Sequence, residues 1–304
     1  MKTVLLLAGP TASGKSELAL EIAEEVKGVV VNADAMQLYR ELSILTARPN
    51  AAALARAPHR LYGVSAATDV WSAARWRAAA LAEIAEAGDR LPILVGGTGL
   101  YFRALTAGFS HIPNVSAETR ASARARRAEL GPEAFHAEIA GFDPAIAARL
   151  PPSDAQRLMR AWEVFIETRR PLSAWQAAPR EGPPPGLALR TLLLDPPRAA
   201  LYATIDARVE AMVAAGGIAE LAAVAHLDPL LPLMKAVGVS EFLGHRRGET
   251  DLAATVAAAR QATRRYAKRQ TTWFRHQIMA DLRASEQYYY QLRPEIFRFI
   301  RSLG

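Results

Sequence analysis

Short apolar runs alternate with amphipathic stretches over much of the chain. The runs are 4–8, 28–31, 91–95 and 189–194, and each ends beside glycine, asparagine or aspartate. Helical spacing follows the first run in Leu18, Ile22 and Val26, and the segment 71–87 has the same periodicity. Strands that alternate with helices are typical of a parallel sheet that is covered on both faces. The pattern therefore predicts an α/β core with a mostly parallel sheet and helices on both sides.

The segment 113–186 differs from the rest of the chain in composition and periodicity. It is rich in alanine, arginine and glutamate at helical spacing, contains no convincing strand, and ends in the Gly/Pro-rich stretch 182–186. We expect a helical insertion domain at 113–186, with 1–112 and 187–304 forming the core domain. Most arginines of the insertion are expected on a solvated helix face.

A strongly basic helix is predicted near the carboxyl end. Residues 260–275 contain six lysines and arginines and no acidic residue. At 100° per residue the basic side chains share one side, while Ala259, Tyr266, Gln270 and Trp273 face the other. Such a helix either presents a solvated face or contacts a phosphate backbone, and the pattern leaves both interpretations open.

The stretch between the first strand and the first helix carries the clearest chemistry. It consists of Gly9, Pro10, Thr11, Ala12, Ser13, Gly14, Lys15 and Ser16, and fits the phosphate-loop pattern G-x-x-x-x-G-K-[ST] at every fixed position. In such a loop several backbone N–H groups face one anion, the lysine adds a positive charge, and the serine hydroxyl can bind Mg²⁺. A polyphosphate site on a P-loop NTPase-like core is predicted, although the loop does not specify which polyphosphate.

Polar groups also follow two further strands. Asp34 comes after the second, at the edge where open α/β sheets bind ligands. It is either a turn or cap residue, or a carboxylate that accepts a proton or supports Mg²⁺. After the third strand, the glycines of 96–101 indicate a close approach of the backbone, and Thr98 offers a hydroxyl or a helix cap. No acidic residue follows this third strand directly, which leaves Asp34 as the nearest carboxylate.

Composition narrows the class of protein. The chain has 304 residues, 51% of them hydrophobic, so it can bury a large core. The absence of cysteine excludes disulfides and thiolate metal sites, and the six histidines lack zinc-ligand spacing. No apolar run is long enough to span a membrane, so we expect a soluble, cytoplasmic protein. The net charge of +7 and a pI of about 9.9 favour a polyanionic partner.

In the order of its motifs the chain resembles the tRNA dimethylallyltransferase family, also called tRNA isopentenyltransferases. The matching blocks are 9–16, Asp34 with 37–40, 46–49, 96–101, 154–157, Arg208 with its helix to Gly217, 237–238 and 263–275. One block alone would be weak evidence. Their shared order over nearly the whole chain is specific.

The resemblance implies a reaction in which a dimethylallyl group moves from dimethylallyl diphosphate to the exocyclic amine of the adenine 3′ of a tRNA anticodon, releasing diphosphate. The loop 9–16 would hold the diphosphate, with Mg²⁺ as cofactor on Ser16. Asp34 would be the general base. Thr98, Arg120 and Arg208 would stabilise the leaving diphosphate.

The resemblance also implies contacts with the anticodon stem-loop of tRNA. The expected tRNA-binding residues lie after the second strand, in the insertion and near the carboxyl end: Asp34, Ala35, Met36, Gln37, Gln156, Arg157, Leu158, Met159, Arg160, Lys235, Gly238, Lys268, Arg269, Gln270 and Arg275. A base flipped out of its stack would enter between core and insertion. We expect a monomer without a membrane partner.

Four positions depart from the family pattern. Ala35 stands where a Ser usually follows the aspartate, Leu45 replaces a Gly, Arg48 a Lys, and Val239 a Tyr. None of them changes the loop 9–16, Asp34 or Thr98. We therefore expect activity to be retained, with altered details of tRNA contact.

Two other functions fit the same residues when the resemblance is set aside. A small-molecule kinase would use the loop to turn over ATP. A nucleic-acid-binding module with a nucleotide as a switch would bind RNA without changing it covalently. The ordered motif blocks favour the transferase.

Overall fold

Packing divides the protein into two compact units. The computed structural model describes residues 1–110, 112–286 and 289–303. The core unit combines the described residues of Met1–Thr106 and Pro185–Gly304, and the helical unit is Ala107–Pro184. The helical unit starts and ends earlier in the chain than the expected limits of 113 and 186. At its base a Cβ on Gly108 would lie 2.8 Å from the backbone of Gly182, so the two chain ends of this unit lie side by side.

The core unit is built on a parallel sheet. Its strands are β1 (Lys2–Ala8), β2 (Val29–Asn32), β3 (His59–Arg60), β4 (Pro92–Gly96), β5 (Leu187–Leu194) and β6 (Leu282–Ala284). They follow the order β3-β2-β4-β1-β5-β6, and every pairing in the described part of the chain is parallel. This confirms the predicted fold class. The carboxyl ends of β1, β2 and β4 meet at one edge of the sheet.

Helices cover both faces of the sheet. Those of the core unit are α1 (Lys15–Val26), α2 (Ala51–Arg56), α3 (Ala73–Glu86), α4 (Gly99–Thr106), α9 (Arg198–Ala214), α10 (Gly217–Glu220), α11 (Val239–Arg246), α12 (Leu252–Gln277) and α13 (Arg293–Arg301); those of the helical unit are α5 (Ala117–Phe142), α6 (Pro144–Ala147), α7 (Ala155–Thr168) and α8 (Leu172–Ala177). Alternate β1 residues point to opposite faces. Leu6 packs with α3, α4 and Phe274 of α12, whereas Leu7 packs with α1 and α13.

Some core elements were not predicted. The hydrophobic pattern did not predict α2 and the two-residue strand β3, which lie within 51–62. β6 and α13, near the carboxyl end, were not predicted either. The last helix nevertheless buries Ile296, Phe297 and Ile300 against the face formed by α1. Strands of two or three residues are too short to show a period of two.

The helical unit has a hydrophobic core of its own. Phe135, Ile139 and Leu158 are fully buried there with aliphatic and aromatic neighbours from α5 to α8. α5 is interrupted at Gly131, which has φ 75° and precedes Pro132. Asp154 caps α7 by accepting the N–H of Arg157. Among the described residues of the whole chain, no helix combines the length and apolar character that a membrane span requires.

Candidate active site

The glycine loop, Gly9–Ser16, connects β1 to α1 at the carboxyl edge of the sheet. Gly14 precedes α1 with φ 87°, and no side chain caps the helix. The side chain of Lys15 folds back over the loop, where its Nζ donates to the carbonyl of Pro10 at 2.5 Å. A Cβ on Gly9 would lie 2.6 Å from the carbonyl oxygen of Leu194. An uncapped helix N-terminus beside a lysine is a favourable site for an anion.

Gln270 on α12 ties this loop to the loop after β4. Its Oε1 accepts the N–H of Thr11 at 2.8 Å, and its Nε2 donates to the carbonyl of Gly97 at 2.8 Å. A Cβ on Gly97 would lie 2.1 Å from that Nε2, and one on Gly99 would lie 2.2 Å from the ring of Trp273. The close approach predicted from the glycines is therefore an approach to α12.

Asp34 is held in place by backbone and side-chain groups. The Oδ1 of Asn32 accepts the N–H of Asp34 at 2.8 Å, and the Nδ2 of the fully buried Asn32 donates to the carbonyl of Asp34 at 2.9 Å. One oxygen of the Asp34 carboxylate accepts the N–H of Met36 at 2.9 Å. The hydroxyl of Thr98 accepts the N–H of Ala35 at 2.9 Å. Thr98 thus supports the segment that carries Asp34.

Arg208 reaches the glycine loop from α9. A terminal nitrogen of its guanidinium donates to the hydroxyl of Thr11. Its Nε is buried and has no hydrogen-bond partner in the described structure. A buried guanidinium N–H without an acceptor is costly, so it marks a place where an anionic ligand would supply the missing bond.

Burial shifts the titration of the charged groups around the loop. It lowers the pKa of Lys15 to about 7, against a smaller opposing effect of the Asp34 charge. Burial raises the pKa of the Asp34 carboxyl, which hydrogen bonding from Met36 and the charges of Lys15 and Arg208 partly offset. It also lowers the pKa of Arg208. The raised pKa makes Asp34 a better proton acceptor. A bound anion would stabilise the charged forms of Lys15 and Arg208.

Two cavities meet beside Asp34. The first, of about 350 Å³, is lined by the glycine loop from Thr11 to Ser16 together with Gln37 and Ala47. The second, of about 220 Å³, has both polar and apolar lining, and we call it the apolar cavity after its side chains Met212, Phe242 and Tyr266. Residues that line both are Thr11, Asp34, Thr46 and Arg208. A cavity suited to an anion and the apolar cavity thus adjoin at one carboxylate.

The structure brings together many, but not all, of the predicted site residues of the core unit. Met36, Lys235, Gly238 and Arg269 line the apolar cavity. Gly9, Pro10, Ala35 and Thr98 line neither cavity, nor does Gln270, which is only 7% exposed. Gln270 acts within the fold because both ends of its carboxamide are bonded to backbone groups.

The basic side of α12 is partly neutralised by neighbouring elements. Arg260 pairs with Glu210 and Arg264 with Asp206, both on α9. Arg275 pairs with the buried Asp195 at 2.9 Å. Among the described residues, Lys268 and Arg269 have no carboxylate partner, and they line an open cleft with Trp273. Only part of the predicted basic face therefore remains available for a polyanion.

The predicted residues of the helical unit vary in exposure. Arg120 and Gln156 are exposed, whereas Leu158 is buried in the core of the unit and Met159 is partly buried. Arg157 pairs with Asp154 at 3.2 Å, and Arg160 with Glu163 at 3.6 Å. A fully buried Leu158 contributes to packing, so Arg157 and Arg160 are the more suitable side chains for contact with a ligand.

Sequence reasoning missed several residues of the site. Asn32 ends a strand as an apparent turn residue, and Tyr266 was assigned to the packing side of a helix. Thr46 was part of a motif block but received no role, although it lines both cavities. The available signal for Asn32 was its position directly after an apolar run, where a polar side chain that becomes buried needs hydrogen-bond partners.

The fold and the site together define a class: α/β proteins in which a glycine loop at the sheet edge adjoins an apolar cavity and a carboxylate. Comparison with known proteins is more specific. The family model described as "IPP transferase" matches residues 37–277. The chain belongs to this family of transferases.

Individual relatives agree with this assignment. The chain is 56% identical over 283 residues to a tRNA dimethylallyltransferase of Rhodospirillum centenum, covering 92% of this chain and 90% of that protein. It is 51% identical over 303 residues to the enzyme of the same name from Paramagnetospirillum magneticum, covering 98% and 95%. The crystal structure of a tRNA isopentenylpyrophosphate transferase from Bacillus halodurans is similar with a TM-score of 0.71 and 28% identity, covering 100% of this chain and 97% of that one.

Proposed function

We propose that this protein transfers the dimethylallyl group of dimethylallyl diphosphate to the exocyclic amine of the adenine 3′ of a tRNA anticodon. The observation that carries the proposal is the junction of the two cavities at Asp34, Thr11, Thr46 and Arg208. A diphosphate on the glycine loop would place the attached five-carbon group at this junction. The apolar cavity offers space next to it.

The chemistry follows from the groups at the junction. The adenine amine attacks C1 of the dimethylallyl group, the bond from C1 to the diphosphate oxygen breaks, and a C–N bond forms. The proton of the amine passes to the carboxylate of Asp34, whose basicity is increased by burial. The diphosphate leaves with the electron pair of the C–O bond, and Lys15 and Arg208 offset the charge that develops on it.

Mg²⁺ is the proposed cofactor. In the described residues there is no cluster of three or more His, Cys, Asp or Glu side chains that could hold a metal by themselves. The hydroxyl of Ser16 and the carboxylate of Asp34 line the same cavity, and hard oxygen donors of this kind suit Mg²⁺ that is also bound to substrate phosphates and water. When bound, Mg²⁺ would neutralise part of the diphosphate charge.

Contacts with the anticodon stem-loop are proposed for exposed cations. Lys268 and Arg269 on α12 have no carboxylate partner within the described residues, and Lys235 is exposed at the apolar cavity. Gln156, Arg157 and Arg160 of the helical unit are included on the strength of the family resemblance, which assigns Arg120 instead to the leaving diphosphate. Unpaired cations beside an aromatic ring suit a single-stranded RNA loop, whose bases can stack.

The test is transfer of radiolabel from dimethylallyl diphosphate to an anticodon stem-loop RNA in the presence of Mg²⁺. We expect label in the RNA only when adenine follows the anticodon, and loss of labelling in Asp34→Asn. Glu249→Gln is the matched control, because Glu249 is an exposed carboxylate paired with Arg247. Phosphoryl transfer from ATP without labelled RNA would refute the proposal and favour a kinase.

A further inference from the structure

A carboxylate outside both cavities organises the loop that forms one of their walls. Glu220, at the end of α10, accepts the N–H groups of three consecutive residues, Ser43, Ile44 and Leu45, and also the Ser43 hydroxyl at 2.8 Å. The bonds from Ile44 and Leu45 to the second carboxylate oxygen are 3.0 and 3.1 Å. Three successive N–H groups converging on one anion form a backbone nest.

The nest leads directly into the cavity wall. Thr46, the next residue, lines both cavities, and Ala47 lines the one at the glycine loop. The carbonyls of Thr46 and Ala47 accept the side-chain amide of Gln37 at 2.9 and 3.2 Å. The segment is therefore fixed on one side by Gln37 and on the other by Glu220.

Packing reinforces the connection between α10 and this segment. A Cβ on Gly217, the first residue of α10, would lie 2.9 Å from the side chain of Leu45, which itself lines the apolar cavity. α10 follows α9, which carries Arg208. The helix that directly follows the one carrying Arg208 thus holds Glu220, the anchor of the segment 43–45.

We propose that Glu220 is a positioning residue for the diphosphate substrate: it holds Thr46 and Ala47 at the distance from the glycine loop that dimethylallyl diphosphate requires. The proposal rests on the proposed function above. The carboxylate also occupies the nest, so that the N–H groups of Ser43–Leu45 cannot compete with the glycine loop for phosphate. Glutamine has the same shape but would turn an NH₂ group toward these donors.

The experiment compares Glu220→Gln with wild type in the labelling assay, varying each substrate in turn. We expect KM for dimethylallyl diphosphate to rise about tenfold, because charge-assisted hydrogen bonds that position this substrate are lost. We expect kcat and the KM for RNA to change by less than about threefold. Glu249→Gln should behave as wild type. Amide hydrogen exchange at 43–45 should accelerate, while the thermal unfolding midpoint stays near that of wild type.

Several outcomes would overturn the inference. A lowered unfolding midpoint with an unchanged KM for dimethylallyl diphosphate would make Glu220 a purely structural residue. Additive effects of Glu220→Gln and Thr46→Ala in the double variant would show that Glu220 does not act through Thr46. If Glu220→Gln does not fold, Glu220→Asp is measured instead, and an unchanged KM there refutes the inference. Absence of label transfer in wild type would refute the proposed function itself.

Discussion

The carboxamide of Gln270, on the last long helix of the chain, accepts the backbone N–H of Thr11, in its first loop, at 2.8 Å. Its amide group donates to the carbonyl of Gly97, so that one side chain joins α12, the glycine loop and the loop after β4. If the carboxamide is removed, the carbonyl of Gly97 loses a buried partner, whereas the N–H of Thr11 is only partly buried and belongs to a residue that lines both cavities.

Gln270→Ala is expected to lower the free energy of unfolding by about 1–3 kcal/mol, the cost of leaving the buried carbonyl of Gly97 unpaired. The KM for dimethylallyl diphosphate should rise as well, because the glycine loop loses a support. Urea unfolding and substrate-dependent kinetics measure the two effects. Gln277→Ala, at an exposed position of the same helix, should change neither.

Asp34→Asn is expected to reduce kcat by about 10²- to 10⁴-fold, since the amide cannot accept the proton of the adenine amine. Binding of dimethylallyl diphosphate should be retained or tightened, because a negative charge near Lys15 and Arg208 is removed. Single-turnover kinetics and calorimetry separate the two quantities. A kcat within a few-fold of wild type would exclude Asp34 as the base.

The affinity for dimethylallyl diphosphate should depend on pH through Lys15. Burial lowers the pKa of Lys15 to about 7 in the free protein, and a bound diphosphate favours the protonated amine and raises that pKa. The contribution of Lys15 to binding is therefore complete below pH 7. This contribution is lost as pH rises from 7 toward the pKa that Lys15 has in the complex. Over that range Kd should increase by up to about tenfold per pH unit.

Calorimetry at pH 8 in buffers of different ionisation enthalpy should detect proton uptake on binding of dimethylallyl diphosphate. Lys15→Gln should bind more weakly and lack this uptake. Titration of the substrate itself is common to both proteins and cancels in the comparison. Equal proton uptake by wild type and Lys15→Gln would show that another group titrates.

Gly97→Ala and Gly141→Ala should have opposite effects on stability. A Cβ on Gly97 would lie 2.1 Å from the Nε2 of Gln270, so we expect a loss of about 1–3 kcal/mol from overpacking. A Cβ on Gly141, in α5, would meet no atom within 4 Å, and alanine there should stabilise the helix by up to about 1 kcal/mol. Thermal unfolding of both variants tests the pair. Equal midpoints would contradict the packing described around Gln270.

The sequence was sufficient to predict the strands, turns and helices around the glycine loop, because these elements depend on local patterns. A buried apolar run followed by the spaced residues of the glycine loop predicts a strand, a turn and a helix. Strand ends place Asp34 and Thr98 at one edge without knowledge of the rest. The family resemblance added Arg208, which local pattern would have assigned to the surface.

Long-range pairing was not accessible in the same way. The sequence of α12 shows six cations and no acid, but the carboxylates that neutralise Arg260 and Arg264 lie on α9, about fifty residues earlier. Similarly, nothing near Gly97 indicates that its close neighbour is Gln270. Such contacts depend on how helices pack across the sheet, which periodicity does not encode.

The dependence of the glycine loop on Gln270 also has a consequence for synthesis on the ribosome. Residues 9–16 are among the first to be translated, whereas their partner at 270 comes after most of the chain, and β6 and α13 follow it. An incomplete chain that ends before α12 contains the whole loop motif but lacks the acceptor for the Thr11 N–H. The part of the protein made first is thus completed by one of the parts made last.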